Sequence, residues 1–336
     1  MGHHQKFNHA LALITNALLE DEIDFRSLSK STDQLFHLLM EVTEMSEMES
    51  GHRQPMLLPD GKGIGPYWAA MCVNDMVRTK SFVRGLYLAI KEAQRTFPDA
   101  CVHVLYAGTG PFATLALPMT SLFTPDQVQF TFLEANPITF EMLQKTIEAF
   151  GIQPFIKDTV LADATTYRPA ETVHILLTET MQRALDKEPQ VAITQQLVPY
   201  LHPDGFLVPE SIEIKAGLLN TADEKIRLAD FVHPPEYYIR YLDTIFELTR
   251  HSANSYANEF PIVEIDISRI EAGEHHELNL FTRIRVFGPE IITPWQSGLS
   301  LPKKIAQLDF EKHPLYKISF QYLPGAQPGF RTNVSN

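Results

Sequence analysis

The chain has 336 residues, 44% of them hydrophobic and 21% charged, an ordinary soluble composition with enough apolar mass for two domains. Twenty-eight basic residues against 41 acidic ones leave a net charge of −13, which argues against a nucleic-acid backbone as partner and is compatible with a cationic substrate. No apolar run reaches the length of a membrane span, no signal peptide is read, and Cys72 and Cys101 give no disulfide framework, so a cytoplasmic protein of a reducing compartment is expected.

Residues 1–60 read as a helical extension and linker. Over 8–46, Leu11, Ile14 and Leu18 share one helical face, and Leu35, Leu38, Leu39 and Val42 share another. These stripes need a partner, either the body of the protein or another subunit. His3 and His4 fall at an end expected to be disordered. The Gly/Pro-rich stretch from Gly51 to Pro66 reads as a loop or hinge, and a helical segment is expected from Tyr67 to Thr96.

Over 102–202 strands alternate with helices, which implies a mostly parallel, doubly wound sheet in a domain spanning 61–205. The strands are Val102–Tyr106, Val128–Leu133, Phe155–Ala162 and Val173–Leu177. A helix is expected to start near Phe112. Asn136 as N-cap, Pro137 in the first turn and Gly151 as C-cap bound another over 137–150. Pro189 opens a third, with Ile193, Leu197 and Leu201 on one face. After Gly205 the period becomes two: Ile212 and Ile214, then Val263, Ile265 and Ile267, then Leu278, Leu280, Ile284 and Val286, and last Ile318, Phe320 and Tyr322. These predict half-buried antiparallel strands in a second domain over 206–336, interrupted by a helical, aromatic insertion at about 222–252.

Three positions at strand ends point to an adenosine-bearing cofactor. Gly108-Thr109-Gly110 follows the first strand, where glycines let the backbone approach a ligand. Glu134 ends the second strand, placed to accept both ribose hydroxyls. Asp163 and Ala164 end the third, placed to read an adenine edge. The glycine spacing also fits a nicotinamide dinucleotide fingerprint, so these positions alone do not separate S-adenosylmethionine from NAD. A loop with two glutamates nine positions apart, Glu179 and Glu188, follows the next strand. Two carboxylates at the crevice of an open sheet suit a planar cation rich in N–H donors, above all a guanidinium. Elsewhere, His275-His276-Glu277 offers metal-ligand types, but neighbours on a strand face opposite ways, and no metal is expected. Cys72 reads as a buried structural thiol.

The ordered set resembles the protein arginine methyltransferase family, which binds S-adenosylmethionine on a Rossmann-like domain followed by a β-barrel. Carrying the resemblance are the double-glutamate loop from Glu179 to Glu188, with Met181 and Leu185 inside it, the segment Leu201-His202-Pro203-Asp204-Gly205-Phe206-Leu207-Val208-Pro209, and Asp75-Met76-Val77-Arg78-Thr79 upstream. It implies Arg78 as partner of the cofactor's methionine carboxylate, Glu179 and Glu188 as the substrate clamp, Asp75 and Met181 beside the substrate, and a homodimer. The family's Thr-His-Trp loop stands here as Thr293-Pro294-Trp295. Trp295 would wall the substrate pocket, while Pro294 cannot be the histidine that partners the helix aspartate. No acid precedes the glycines, and Phe112 holds the third glycine position. The implied activity is methyl transfer to a guanidinium, of a peptidyl arginine or a small molecule, with the proton acceptor open among a glutamate, Asp75 and water. An O- or N-methyltransferase of natural products and a non-catalytic regulator remain the alternatives. An NAD-dependent oxidoreductase lacks a recognisable catalytic domain after Gly205.

Overall fold

The computed structural model describes residues 3–46, 50–230, 232–255 and 260–336. Two helices, α1 (His3–Leu19) and α2 (Phe25–Thr43), open the chain, so it is already helical at His3, where disorder was expected. Leu11, Leu18, Leu35 and Leu39 are essentially solvent-free, each worth about 1.5–3 kcal/mol of burial. The helices pack on each other and on the body of the protein, against α3 (Met76–Thr96) and α4 (Pro137–Phe150). Cations of α3 secure the end of α1. Lys80 Nζ donates to the Leu18 and Glu20 carbonyls, and Arg84 donates to the Leu19 carbonyl and to Asp21 and Glu290. The Leu18, Leu19 and Glu20 carbonyls are acceptors that a helix C-terminus leaves unsatisfied.

The helix expected over 67–96 is broken. A short helix Pro66–Met71 and a 3-10 turn Cys72–Asn74 precede α3. Asp75 leaves helical geometry and caps α3, its side chain accepting from the Arg78 N–H, because an aspartate competes for free amides at a helix start. The stretch expected as a loop or hinge contains a helix (Ser50–Arg53) and a hairpin of Met56–Leu58 against Gly61–Gly63.

Five parallel strands form the central sheet: β1 (Val102–Ala107), β2 (Val128–Glu134), β3 (Ile156–Leu161), β4 (Val173–Thr178) and β5 (Leu201–Val208), in the order β3-β2-β1-β4-β5. The order reverses between β1 and β4, and their carboxyl ends open the crevice in which such sheets bind ligands. Helix α4 has the limits read from its caps. Asn136 accepts from Ile138 and Thr139, and Gly151 takes the left-handed conformation. The helix expected near Phe112 is absent. Turns lead instead to a 3-10 helix, Leu117–Ser121, because Ala113 turns left-handed (φ 44°) and Pro118 cannot extend an α ladder. Helix α5 (Gln190–Leu197) ends before Leu201, which starts β5, and β5 runs on through Gly205 to Val208.

Beyond β5 lie two antiparallel sheets. One holds β6 (Ser211–Leu219), β7 (Arg240–Thr249), β9 (Glu277–Phe287), β10 (Glu290–Ile292) and β11 (Lys303–Gln307). The other holds β8 (Val263–Ser268), β12 (Leu315–Leu323) and β13 (Gly329–Ser335). The period-two residues named above all fall on these strands. Phe246 on β7, Tyr322 on β12 and Phe330 on β13 meet between the two sheets. Phe246 and Tyr241 therefore belong to a strand, not to a helical insertion. Among its described residues that segment holds a short helix, Glu224–Ala229, 3-10 turns at Thr221–Asp223 and Pro235–Tyr238, and the start of a helix Arg250–Ser255.

Candidate active site

A cavity of about 460 Å³ opens at the carboxyl ends of the parallel strands. It gathers Arg78, Gly108, Thr109, Gly110, Glu134, Asp163, Ala164, Glu179 and Glu188, together with Asp75 and Met181. Trp295 is not among its lining residues. Its ring packs on Phe281 (6.0 Å between centroids) and under the Arg227 guanidinium (4.3 Å), and its backbone is left-handed (φ 66°). The expected tryptophan wall is thus turned into the second domain, and Gly298, Leu299 and Leu301 reach the cavity instead.

The turn after β1 is built for a close approach. Gly108 and Gly110 both have positive φ (74° and 65°). A Cβ on Gly108 would stand 2.3 Å from Thr180 Cγ2. Thr109 is buried, and its Oγ1 has no hydrogen-bond partner, an orphan that a bound group would satisfy. Glu134 accepts from the Gly110 N–H (3.0 Å) and the Asn136 N–H (2.9 Å). Burial pushes its carboxyl above the usual range, and those amides pull it part of the way back. Asp163 Oδ1 accepts from both the N–H and the hydroxyl of Thr165, which leaves Oδ2 for the cavity.

The double-glutamate loop is held in a strained shape. Ala184, Leu185 and Lys187 have left-handed backbones (φ 55°, 52° and 67°), a conformation costing each about 1–3 kcal/mol. Contacts from the second domain hold it there. Thr282 Oγ1 accepts from the Ala184 N–H (2.9 Å), the Pro328 carbonyl accepts from the Lys187 N–H (2.7 Å), and Lys303 pairs with Asp186 (3.0 Å). Gln190 on α5 accepts from the Thr180 N–H. The hairpin braces the far end, where the Lys62 N–H donates to the Lys187 carbonyl (3.0 Å). A Cβ on Gly61 would approach Pro189 N to 3.0 Å and Lys187 O to 3.1 Å. The hairpin thereby enters the cavity wall with Met56, Leu58 and Lys62, a role that three-residue strands around a glycine turn do not announce in sequence.

Both glutamates are buried. The Arg78 guanidinium donates to Glu179 Oε2, while Glu179 Oε1 has no partner. The Glu188 carboxylate accepts from Gln182 Nε2 (2.7 Å). Burial raises the Glu188 carboxyl, and the Gln182 hydrogen bond and the charges of Arg78 and Lys62 oppose that rise. Burial works against the Arg78 charge, but Cys72, Asp75 and Glu188 around it outweigh burial and hold the guanidinium above its ordinary value. Cys72, expected as a buried structural thiol, is half-buried and lines the cavity.

The Asp75 carboxylate is also held from the second domain. Its Oδ2 accepts from Ser297 Oγ (2.6 Å) and from the Gly298 N–H (2.8 Å). The second domain thus supplies a serine and a backbone amide where Pro294 could supply no imidazole.

The sequence matches no known family profile and no curated protein. The structure does match solved ones. The Trypanosoma brucei PRMT1 enzyme–prozyme heterotetrameric complex with AdoHcy is 11% identical over 79% of this chain and 91% of that one, with a TM-score of 0.52. Protein arginine methyltransferase 10 of Arabidopsis thaliana, in an open conformation, is 12% identical over 80% of this chain and 97% of that one, also with a TM-score of 0.52. The chain has the protein arginine methyltransferase fold. Identity this low carries the likeness no further than the fold.

Proposed function

We propose that this protein is an S-adenosylmethionine-dependent methyltransferase acting on a guanidinium nitrogen. The observation that carries the reading is the buried, unpartnered Glu179 Oε1 in the same cavity as buried Glu188 and the Gly108–Gly110 turn. A buried carboxylate oxygen without a donor is costly, and a guanidinium supplies donors in the matching plane. The AdoHcy in the Trypanosoma PRMT1 complex supports the choice of cofactor over NAD.

The residues present fit S-adenosylmethionine. Gly108 and Gly110 leave room at the β1 turn, the orphan Thr109 Oγ1 and Glu134 would hold the nucleoside, Asp163 and the Ala164 N–H would read adenine, and Arg78, beside Glu179, would meet the amino-acid carboxylate. When bound, the cofactor supplies an electrophilic methyl on a sulfonium. Glu179 and Glu188 do the protein's part. They hold the guanidinium so that one nitrogen faces that methyl, draw positive charge onto the other two nitrogens, and stabilise the cation as the N–C bond forms. The nitrogen loses one proton in the exchange, and the Glu188 carboxylate, raised by burial, is the acceptor this geometry favours.

Incubation with labelled S-adenosylmethionine and a panel of arginine peptides and small guanidines, read by mass spectrometry, tests the reading. Labelled methyl on a guanidino nitrogen supports it. Methylation of an oxygen or amine nucleophile alone would favour the natural-product alternative, which Pro294 keeps open. Binding of S-adenosylhomocysteine without turnover of any acceptor would favour a regulator.

Ile226 and Leu228 are exposed on the helix Glu224–Ala229, where the family resemblance places a dimerisation arm. A second copy of the chain is the partner proposed to cover them. Light scattering of wild type and Ile226→Asp/Leu228→Asp tests this.

A further inference from the structure

The polar groups lining the cavity divide into committed and uncommitted ones. Asp75 is taken by Ser297, Gly298 and the Arg78 N–H, Glu134 by two backbone amides, and Arg78 by Glu179. Thr109 Oγ1 and Asp163 Oδ2 are free on the side assigned to the nucleoside. At the double-glutamate loop the uncommitted acceptors are one oxygen each of Glu179 and Glu188, and the uncommitted cations are Lys62, half-buried, and Arg183, exposed. Neither cation has an ion-pair partner among the described residues.

Both cations lie on segments tied to the Glu188 end of the loop, and the Lys62 charge acts on the Glu188 carboxyl. Lys62 is tied by its N–H to the Lys187 carbonyl. Arg183 follows Gln182, whose side chain donates to Glu188. A third cation, Lys187, sits on the same loop with its side chain exposed. A pocket meant only for a guanidinium gains nothing from lysine and arginine at its wall, since like charges weaken cation binding. An arginine-rich basic peptide would meet Lys62 and Arg183 at the wall, with Lys187 beside them paired to Asp186 at 4.0 Å. Met56, Leu58 and Met181 line the same cavity and offer apolar surface for a short methylene chain.

We propose that the acceptor is a small guanidino carboxylate, with its guanidinium between Glu179 and Glu188 and its carboxylate on Lys62 and Arg183. The proposal rests on the guanidinium reading given above and adds the second charge. It makes the acceptor a zwitterion of the free amino-acid class rather than a peptidyl arginine.

Three guanidines of similar length separate the possibilities: guanidinobutyrate with a carboxylate tail, butylguanidine with a neutral tail and agmatine with an ammonium tail. The full-length protein is assayed with labelled S-adenosylmethionine against these, free arginine and an arginine peptide. The expected result is a kcat/KM for guanidinobutyrate roughly tenfold or more above that for butylguanidine, with agmatine lowest. Lys62→Met should collapse that ratio toward one through KM, and Lys62→Arg should restore it. If Lys62→Met does not fold, the wild-type ratios decide alone. Equal or better turnover of butylguanidine, agmatine or the arginine peptide overturns the proposal and leaves the guanidinium reading standing. Methylation of no guanidine, with S-adenosylhomocysteine still bound, overturns both.

Discussion

Ser297 Oγ donates to Asp75 Oδ2 over 2.6 Å, joining residues 222 positions apart in the chain. Asp75 caps α3 with its other oxygen, and Arg78, three residues on, reaches Glu179. One hydrogen-bonded path therefore runs from the second domain through the start of α3 to the double-glutamate loop. Ser297→Ala removes one of three donors to a half-buried carboxylate, a loss of about 1–3 kcal/mol. The expected outcome is a KM for S-adenosylmethionine raised several-fold with a smaller change in kcat, and recovery in Ser297→Thr. Steady-state kinetics of both variants check this, and an unaltered KM in Ser297→Ala would remove the path from the cofactor site.

Glu179→Gln and Glu188→Gln each exchange a charge for an isosteric amide. Turnover should fall by about a hundredfold or more in each, while calorimetric affinity for S-adenosylhomocysteine stays near that of wild type. Wild-type turnover in both variants would sink the clamp assignment. Because burial raises the Glu188 carboxyl, the acid limb of the pH–rate profile should lie above the ordinary carboxyl value of 4.5, with activity lost as pH falls through it.

Local signals in the sequence set much of the frame. Asn136, Pro137 and Gly151 bound α4 to the residue, and short apolar runs marked the parallel strands, because caps and buried strands are decided within a few positions. Arg78 and Glu179, 101 positions apart, could be placed in one cavity only through the order of strand ends and the family resemblance. The Ser297 bond had no sequence signal, since a serine outside any motif has many possible partners. Trp295 misled for the reverse reason. Its place in a motif-like loop says nothing of its left-handed backbone, which turns the ring away from the cavity. Tyr241 and Phe246 suit a helix face and a strand equally well, and only the pairing of β7 with β6 separates the two.

Gly108→Ala puts a methyl group into Thr180 Cγ2 and forces a side chain onto a backbone at φ 74°. The strain costs about 1–3 kcal/mol, and the β1 turn must move away from the cavity. The variant should melt several degrees lower than wild type. It should also lose most of the thermal shift that S-adenosylhomocysteine gives the wild type. A full ligand-induced shift in a folded Gly108→Ala would show that this turn does not hold the cofactor.

At the opposite end of the sheet from the cavity, His103 is buried with its Nε2 on Thr131 Oγ1 (2.8 Å), and its backbone N–H donates to His174 Nδ1 (2.9 Å). Glu171 lies 3.6 Å from His103 Nδ1 and pairs with Lys157, and the rings of His174 and His202 flank Phe97. Burial, helped by the Lys157 charge, lowers His103 from 6.5 to about 4, and burial with His202 and Lys157 lowers His174 as well. His103 is thus neutral in the fold down to about pH 4 but takes up a proton in the unfolded chain below about pH 6.5, and the lowered His174 acts in the same direction. The unfolded state binds more protons there, so stability is complete above pH 6.5 and is lost as pH falls from 6.5 toward 4, by at most about 3 kcal/mol for His103. The raised Glu134 and Glu188 carboxyls act in the opposite sense over the lower part of this window, so the comparison must be made between variants. Melting temperatures of wild type and His103→Gln at steps from pH 7.5 to 4.5 should converge as pH falls, with the wild type losing more. Parallel curves would mean that His103 carries no acid sensitivity.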